Sequence, residues 1–262
     1  MKIYLAGENQ KNYILNTYLA GEHTVKNGKD LIGINKKVNL LETFYYFRSN
    51  KNKDLVLKMS EDLLLDSGAF TFMSGTKNSL IDWDAYIEEY ISFINKNSIN
   101  LFFELDLDSI IGLAKVESFR KKIEKGTLKK CIPVWHKYRG LNYWKKITKE
   151  YDYVAIGGIV SGEIKKNEYD IFTNLINIAN NNNCKVHALG FTNAKGLRKY
   201  KFYSVDSTAW LYGNRGGFLY HFNGKSIVKI DKPLGTRLKS KEVAMHNFTE
   251  WVKFQRYAKN NL

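Results

Sequence analysis

Short apolar runs alternate with longer stretches of mixed polarity along most of the chain. Apolar runs of about 4 to 8 residues that are bounded by polar or glycine residues are typical of buried strands. We predict strands at residues 3–6, 31–34, 63–66, 101–106, 132–135, 153–157, 185–190 and 202–206.

The stretches between these runs have the periodicity of helices. Between residues 83 and 96, apolar side chains recur at Tyr86, Ile87, Tyr90 and Ile94. This spacing is that of a helix that packs one face against a sheet. We therefore predict helices at residues 12–19, 40–48, 83–96, 109–124, 141–149, 168–180 and 194–200.

Strands that alternate with helices predict βαβ units and a parallel sheet. Eight such units within roughly 200 residues fit a closed (β/α)8 barrel of the TIM type better than an open, doubly wound sheet. No low-complexity or Pro/Gly-rich linker interrupts the pattern. We therefore predict an α/β fold with a single barrel domain over residues 1–262.

The pattern changes after residue 206. Residues 217–230 predict a hairpin that turns at Asn223-Gly224, a pair that strongly favours tight turns. From Lys241 onward the sequence predicts a closing helix, with Trp251, Phe254 and Tyr257 on its packing side. The barrel is thus expected to carry a carboxyl-terminal hairpin and helix.

The composition is that of a globular protein with an excess of positive charge. Hydrophobic residues make up 44% of the 262 residues, enough for one large core, and the net charge is +15. Such a charge favours a polyanionic partner, and nucleic acid is the first expectation. The alternative is an AT-rich gene, because codon bias raises the lysine content without any binding role.

Nothing in the sequence predicts a membrane segment or a secretion signal. No stretch approaches the ~18 to 20 apolar residues of a membrane span, and the amino-terminal segment turns polar early. Cys131 and Cys184 lack the close spacing of a zinc site, which favours buried thiols in a reducing compartment. We expect a cytoplasmic protein without a membrane partner, metal or cofactor.

Several predicted strands end in acidic, polar or glycine-rich clusters. In a parallel barrel these carboxyl ends face one rim, where the loops that follow the strands build the active site. An Asp directly after an apolar strand is costly to bury without partners, so Asp66, Asp106 and Asp206 together indicate a functional site. The clusters are LLLDSGAF (63–70), ELDLD (104–108), PVWH (133–136), AIGGIVSGE (155–163), HALGF (187–191) and YSVDSTAW (203–210).

Each of these residues also has a simpler interpretation. A single Asp after a strand commonly caps the next helix, and this is the favoured interpretation of Asp108. Gly157-Gly158 is equally consistent with a tight turn, and His136 with a partly buried, hydrogen-bonded side chain. The convergence of several clusters on one rim favours a site.

Four of the clusters resemble motifs of the tRNA-guanine transglycosylases. Residues 66–70 (DSGAF) resemble the family's D-S-G-G-F segment, and residues 157–163 (GGIVSGE) are similar to its G-G-[LI]-x-x-G-E segment. Residues 187–190 fall where the family has a short strand ending in glycine, and Asp206 where it has its nucleophile. Residues 214–217 (NRGG) are similar to the Arg/Gly-rich stretch that follows. The matches occur in family order over roughly residues 60 to 220.

The chain also departs from that family. It has no Cys-rich zinc subdomain after Asp206, it is shorter, and its fourth-strand segment does not match closely. Small zinc-free relatives occur among phage and bacterial proteins that insert 7-deazaguanines, such as preQ0-type bases, into DNA. The resemblance therefore implies exchange of guanine in DNA for a free 7-deazaguanine base, in the host cytoplasm if a phage encodes the protein.

The resemblance also implies roles for individual residues. Asp206 would be the nucleophile, because a carboxylate stabilises positive charge at C1′ and forms a covalent glycosyl intermediate. Asp66 would protonate the leaving guanine and then deprotonate the incoming base. Phe70, Trp135 and Trp210 are the candidates for stacking on the base, and each could equally pack in the core. The predicted substrate contacts are Ser67, Gly68, Phe70, Asp106, His136, Gly157, Gly158 and Gly190, and the predicted phosphate contacts are Arg215, Arg198 and Lys201.

Three other functions remain open at this stage. The first is the same exchange on tRNA, as in queuosine-type modification. The second is a nucleic-acid-binding barrel that has no activity. The third is an unrelated barrel hydrolase that acts on a sugar with two carboxyl groups.

Overall fold

The computed structural model describes residues 1–7, 37–68, 71–72, 81–191, 193–213, 218–231, 235–236 and 238–262. The predicted helix at 12–19 and the predicted strand at 31–34 lie outside the described residues. Among the predicted site residues, Phe70 and Arg215 lie outside them as well.

Eight parallel strands form the central sheet, in the order β4-β3-β2-β1-β8-β7-β6-β5. The sheet curls, and a parallel bridge forms between Phe103, which follows β4, and Ile132, which precedes β5. The Ile132 N–H donates to the Phe102 carbonyl at 2.8 Å, and the Glu104 N–H donates to the Ile132 carbonyl at 3.1 Å. The strands are β1 (Lys2–Ala6), β2 (Val38–Thr43), β3 (Ser60–Asp66), β4 (Leu101–Phe102), β5 (Val134–Trp135), β6 (Tyr153–Ile156), β7 (Lys185–Ala188) and β8 (Ser204–Ser207).

Helices connect the strands and cover one face of the sheet. Within the described residues, no helix is both long and apolar enough to cross a membrane. The helices are α1 (Phe44–Phe47), α2 (Lys53–Met59), α3 (Trp83–Lys96), α4 (Asp108–Ile111), α5 (Leu113–Thr127), α6 (Gly140–Glu150), α7 (Ile171–Asn181), α8 (Ala194–Lys199) and α9 (Ser240–Asn261).

Both faces of the sheet are apolar. Successive strand residues point to opposite faces, so Ile3 packs under the helices while Tyr4 packs on the face that the curled sheet encloses. The enclosed face also carries Leu64, Phe103 and Ala155. Because the strands are buried on both sides, they appear in the sequence as continuous apolar runs and not as alternating ones.

The predicted helix at residues 40–48 is wrong over its first half. Residues Val38–Thr43 form β2, and only Phe44–Phe47 are helical. The apolar residues of β2 and α1 together mimic helical spacing, because β2 is buried on both faces and does not alternate. The sequence analysis also missed α2, and the helix predicted at 109–124 is divided into α4 and α5 at Gly112, which has φ +81°.

The carboxyl-terminal hairpin and closing helix are confirmed. Strands β9 (Phe218–Phe222) and β10 (Ile227–Asp231) pair antiparallel, and α9 follows with Trp251 and Phe254 buried. The turn is shifted by one residue from the prediction, because the Asn223 N–H donates to the Ser226 carbonyl and leaves Gly224-Lys225 at its centre. The Asn223 side chain accepts from the N–H groups of Lys225 and Ser226.

A buried glutamine of α9 joins β1 to β2. The register of β2 shifts between Val38 and Leu40, which displaces the backbone groups of Asn39 from the regular ladder. Gln255 accepts from the Asn39 N–H at 3.1 Å and donates to the carbonyls of Asn39 and Ile3 at 2.9 and 2.7 Å. One side chain therefore satisfies three backbone groups at this irregularity.

Replacing this glutamine is expected to destabilise the fold. Gln255→Leu preserves the apolar volume and leaves the buried Asn39 N–H without its partner, so we expect the free energy of unfolding to fall by about 3 kcal/mol. The measurement is urea denaturation, with Asn260→Ala on the exposed side of α9 as the control. An equal, small effect of both variants would contradict the bridging role of Gln255.

Candidate functional site

Acidic side chains meet at the carboxyl ends of the strands. Asp66 is the last residue of β3, Asp206 lies in β8, and Asp106 follows β4. The charges of Asp206 and Asp106 both act on the Asp66 carboxyl group. The structure therefore brings together the three aspartates that the sequence analysis selected.

Asp66 has a strongly raised pKa. Burial is the largest cause, and the nearby charges of Asp206 and Asp106 add to it, while hydrogen bonds from the Gly68 N–H and the Thr43 hydroxyl act in the opposite direction. The resulting pKa is about 7. At neutral pH this carboxyl group is therefore close to half protonated, which suits a group that must give and then take a proton.

Asp206 is held by one backbone N–H and one histidine ring and is only 7% exposed. Its Oδ1 atom accepts from the Gly190 N–H at 2.6 Å and lies 3.2 Å from Nε2 of His187. Gly190 has φ +70°, and a Cβ atom there would lie 2.1 Å from Cγ2 of Val160. Gly190 thus orients the predicted nucleophile, and its predicted contact with substrate stays a prediction.

His136 lies between two carboxylates. Its Nε2 atom is 2.7 Å from Asp106 Oδ2, and its Nδ1 atom is 2.8 Å from Glu163 Oε2. Burial alone lowers the pKa of this ring, but the hydrogen bond and charge of Asp106 and the hydrogen bond of Glu163 outweigh it and raise the pKa to about 9. At neutral pH His136 is an imidazolium whose two N–H groups are both engaged.

Arg139 is a second buried cation, and the sequence analysis missed it. Its guanidinium donates to Asp108 Oδ2 at 2.6 Å, to Asp106 Oδ1 at 3.0 Å and to Glu104 Oε1 at 3.3 Å. Burial raises the pKa of Asp108, but the hydrogen bonds from Arg139 and Tyr138 outweigh burial and hold this pKa below its usual range. Both oxygens of Asp106 are therefore fixed by cations, and recognition of a base would use their remaining lone pairs.

Two glycines after β6 make room for the His136–Glu163 pair. A Cβ atom on Gly157 would lie 2.8 Å from the His136 ring, and one on Gly158 would lie 2.5 Å from Glu163 Oε2. The Gly157 N–H donates to the Trp135 carbonyl within the sheet. In the structure, the missing Cβ atoms of Gly157 and Gly158 thus allow His136 and Glu163 to approach the backbone closely. The predicted contact of these glycines with substrate stays a prediction.

Trp135 and Trp210, which the sequence left open between stacking on a base and packing in the core, are core residues. Trp135 and Trp210 are at most 2% exposed, and their indole N–H groups donate to the carbonyls of Gly140 and Ala6. The exposed aromatic ring at this site is Tyr138, which the sequence analysis missed. It is 60% exposed, stacks on His136 at 5.2 Å and donates to Asp108 Oδ1 at 2.6 Å.

The segment after Asp66 packs tightly against α3 and α1. The Ser67 carbonyl accepts from the Tyr86 hydroxyl at 2.7 Å, and Gly68 has φ +86° with no room for a Cβ atom beside Tyr45. Within the described part of the chain, the buried Ser67 hydroxyl has no hydrogen-bond partner. The predicted contact of Ser67 and Gly68 with substrate stays a prediction.

Two of the three predicted phosphate contacts, Arg198 and Lys201, lie away from this end of the sheet. Arg198 lies in the last turn of α8 and donates to the Lys225 carbonyl in the hairpin. Lys201 precedes β8 and acts electrostatically on the amino group of Met1, so it lies at the amino ends of the strands. Arg215 lies outside the described residues.

The described residues contain no group of three or more His, Cys, Asp or Glu side chains that could hold a metal ion. Cys131 and Cys184 are buried free thiols. Burial raises the pKa of both thiols, which makes them poor nucleophiles at neutral pH.

The raised pKa of Asp66 predicts a specific pH dependence of stability. An unfolded Asp titrates near a pKa of about 3.9 and the folded one at about 7, so the wild type loses stability as the pH rises between these values. Asp66→Asn cannot ionise, and its free energy of unfolding relative to wild type is expected to rise by about 3 to 4 kcal/mol from pH 4 to pH 8.

Urea denaturation at the two pH values measures this difference. Asp231→Asn, at an exposed carboxylate of β10, is the control and should show no such change. A constant difference between Asp66→Asn and wild type across this range would show that Asp66 is ionised throughout.

Comparison with known proteins does not identify a family for this chain. No protein-family model matches the chain, and no curated protein matches it. What the site does must therefore be argued from its own residues.

Proposed function

We propose that this protein exchanges guanine in DNA for a 7-deazaguanine base through a covalent glycosyl intermediate on Asp206. The observation that carries the proposal is the pairing of two unlike carboxyl groups. Asp66 has a pKa of about 7, and Asp206 is fixed through one oxygen by the Gly190 N–H and the His187 ring. Two carboxyl groups in different environments can divide the roles of acid and nucleophile.

The proposal includes a closed (β/α)8 barrel. The bridge between Phe103 and Ile132 and its flanking hydrogen bonds support closure between β4 and β5. In such a barrel the carboxyl ends of all eight strands surround one mouth, where enzymes of this architecture place their active sites.

The first half of the reaction removes guanine. An Asp206 oxygen forms a bond to C1′ of the nucleotide while the bond from C1′ to N9 breaks, and the electron pair of that bond goes to the base. Asp66 gives its proton to the departing guanine and becomes a carboxylate. Negative charge on Asp206 stabilises the oxocarbenium-like transition state.

The second half installs the new base. Asp66, now ionised, takes a proton from the incoming 7-deazaguanine, whose nitrogen attacks C1′ and releases the Asp206 carboxylate. The proton that left with guanine is thus replaced by the proton of the incoming base, and Asp66 returns to its starting state. Two successive displacements at C1′ retain the configuration of the sugar.

The base would be recognised beside Asp106. The clamp of His136 and Arg139 fixes this carboxylate, so it can accept from the N–H groups of a purine without rearranging. The exposed face of Tyr138 supplies a surface on which a planar base can stack. The target atoms are inaccessible in a duplex, so the nucleotide must be flipped out or single-stranded.

The polymer is proposed from charge and resemblance. A net charge of +15 suits a nucleic acid backbone and predicts binding that weakens with salt. The absence of a Cys-rich segment after Asp206 in the sequence favours DNA, because the tRNA-acting members of the similar family carry a zinc subdomain there. The tRNA alternative is distinguished by experiment.

The experiment offers an isotope-labelled 7-deazaguanine together with DNA or with tRNA and measures incorporation by mass spectrometry of the nucleosides. We expect label in DNA with the wild type. Asp206→Asn should lose at least about 10³-fold in rate, and Asp66→Asn about 10²- to 10⁴-fold. Asp231→Asn, away from the site, should retain full activity.

Other outcomes would revise the proposal in defined ways. Label only in tRNA would keep the chemistry and change the polymer. An Asp206→Asn variant as active as wild type would exclude Asp206 as the nucleophile. No label in either polymer with any 7-deazaguanine offered would refute base exchange.

A further inference from the structure

A chain of buried polar side chains leads from Asp206 into the enclosed face of the sheet. His187 Nε2 lies 3.2 Å from Asp206 Oδ1, and His187 Nδ1 lies 2.6 Å from the Ser204 hydroxyl oxygen. The Ser204 hydroxyl oxygen lies 2.5 Å from the Tyr153 hydroxyl oxygen. Three strands, β6, β7 and β8, each contribute to this relay of Tyr153, Ser204 and His187.

The relay is enclosed by apolar and aromatic groups. His187 and Ser204 are 0% exposed. The ring of Tyr4 meets that of His187 edge-on at 6.0 Å, and the ring of Phe103 lies at 5.4 Å. Because a polar group buried in such surroundings is costly unless it is hydrogen-bonded, each bond of the relay is strongly held.

The donors and acceptors of the relay can be assigned by starting from Asp206. An ionised carboxylate only accepts, so His187 must carry its proton on Nε2 to bond with Oδ1. When the imidazole is neutral, Nδ1 is an acceptor, and the Ser204 hydroxyl donates to it. The Ser204 oxygen then accepts from the Tyr153 hydroxyl. With this neutral tautomer, every donor in the relay points toward Asp206.

The relay also makes the two oxygens of Asp206 different. Within the described part of the chain, both hydrogen bonds to this carboxylate, from Gly190 and from His187, end on Oδ1. Oδ2 therefore retains the lone pairs that can attack a carbon atom. A carboxylate bonded at one oxygen by a rigid backbone and a rigid ring cannot rotate easily to exchange the two.

We propose that His187 is a positioning residue that, through the Tyr153–Ser204–His187 relay, holds Oδ1 of Asp206 and presents Oδ2 to C1′ of the nucleotide. The effect on catalysis rests on the base exchange proposed above, whereas the direction of the relay does not. Neither His187 nor Ser204 touches the reacting atoms, so both act through Asp206.

A matched pair of amide substitutions tests the positioning role. The side-chain nitrogen of glutamine reaches the place of Nε2, whereas that of asparagine reaches only the place of Nδ1. We expect His187→Gln to keep the donor to Asp206 and to lower kcat less than about fivefold. His187→Asn should lower kcat about 10- to 100-fold, with KM for the 7-deazaguanine within about twofold of wild type.

Two smaller substitutions test the relay even if the His187 variants do not fold. Tyr153→Phe and Ser204→Ala each remove one hydroxyl group and keep the packing. If the relay is directional, Ser204→Ala, which leaves Nδ1 without its donor, should lower kcat more than Tyr153→Phe. Equal losses in His187→Gln and His187→Asn, or full activity in His187→Asn, would overturn the positioning role.

Nitrogen-15 NMR of histidine-labelled protein tests the direction without any activity assay. We expect His187 Nδ1 to resonate as an unprotonated nitrogen and Nε2 as a protonated one, and we expect Ser204→Ala to shift the Nδ1 resonance. The opposite tautomer would overturn the relay. A wild type that exchanges no base but shows the expected tautomer would refute the proposed function and leave the relay standing.

Discussion

Several carboxyl groups must be buried side by side at the carboxyl ends of the strands, and the rest of the site depends on how their charges are compensated. Like charges close together raise one another's pKa, and burial adds to the effect. Two cations, His136 and Arg139, contact Asp106, and both lie on the side of β4, β5 and β6. The opposite side, which holds Asp66 and Asp206, receives backbone N–H donors instead.

This unequal distribution of cations divides the site into two parts. In the compensated part, Arg139 contacts both Asp106 and Asp108, and His136 contacts Asp106. The uncompensated part contains Asp66 and Asp206. In the uncompensated part, Asp66 is kept near the midpoint of its titration. In the proposed reaction, the same residue type would serve recognition in one part and proton transfer in the other.

The sequence was sufficient to predict the strand ends and the aspartates that meet there. Asp66, Asp106 and Asp206 each follow an apolar run, so their position depends only on local pattern and on the geometry of parallel strands. Arg139 could not be predicted, because its contacts depend on the tertiary positions of β4 and of the turn after β5. An arginine near a strand end is indistinguishable from a surface residue until its partners are placed.

The unresolved alternatives and the errors have the same origin. Trp135 and Trp210 lie next to site motifs in the sequence, which left stacking on a base and core packing equally open, and both side chains lie in the core under the helices. The strand β2 was mistaken for a helix because burial on both faces removes the alternating pattern. The hydrophobic pattern of a sequence predicts the order of strands and helices more reliably than it predicts the orientation of a single side chain.

The bridging glutamine of α9 has a consequence for how the molecule assembles. Gln255 and Ile3 are 252 positions apart, and Gln255 and Asn39 are 216 apart. During synthesis, β1 and β2 therefore leave the ribosome long before Gln255. Until then, the backbone groups that Gln255 satisfies must form hydrogen bonds with water or with other groups of the chain. Contacts between such distant segments carry a large entropic cost of loop closure and form late in folding. The hydrogen bonding of β1 and β2 is therefore complete only after α9 has packed against them.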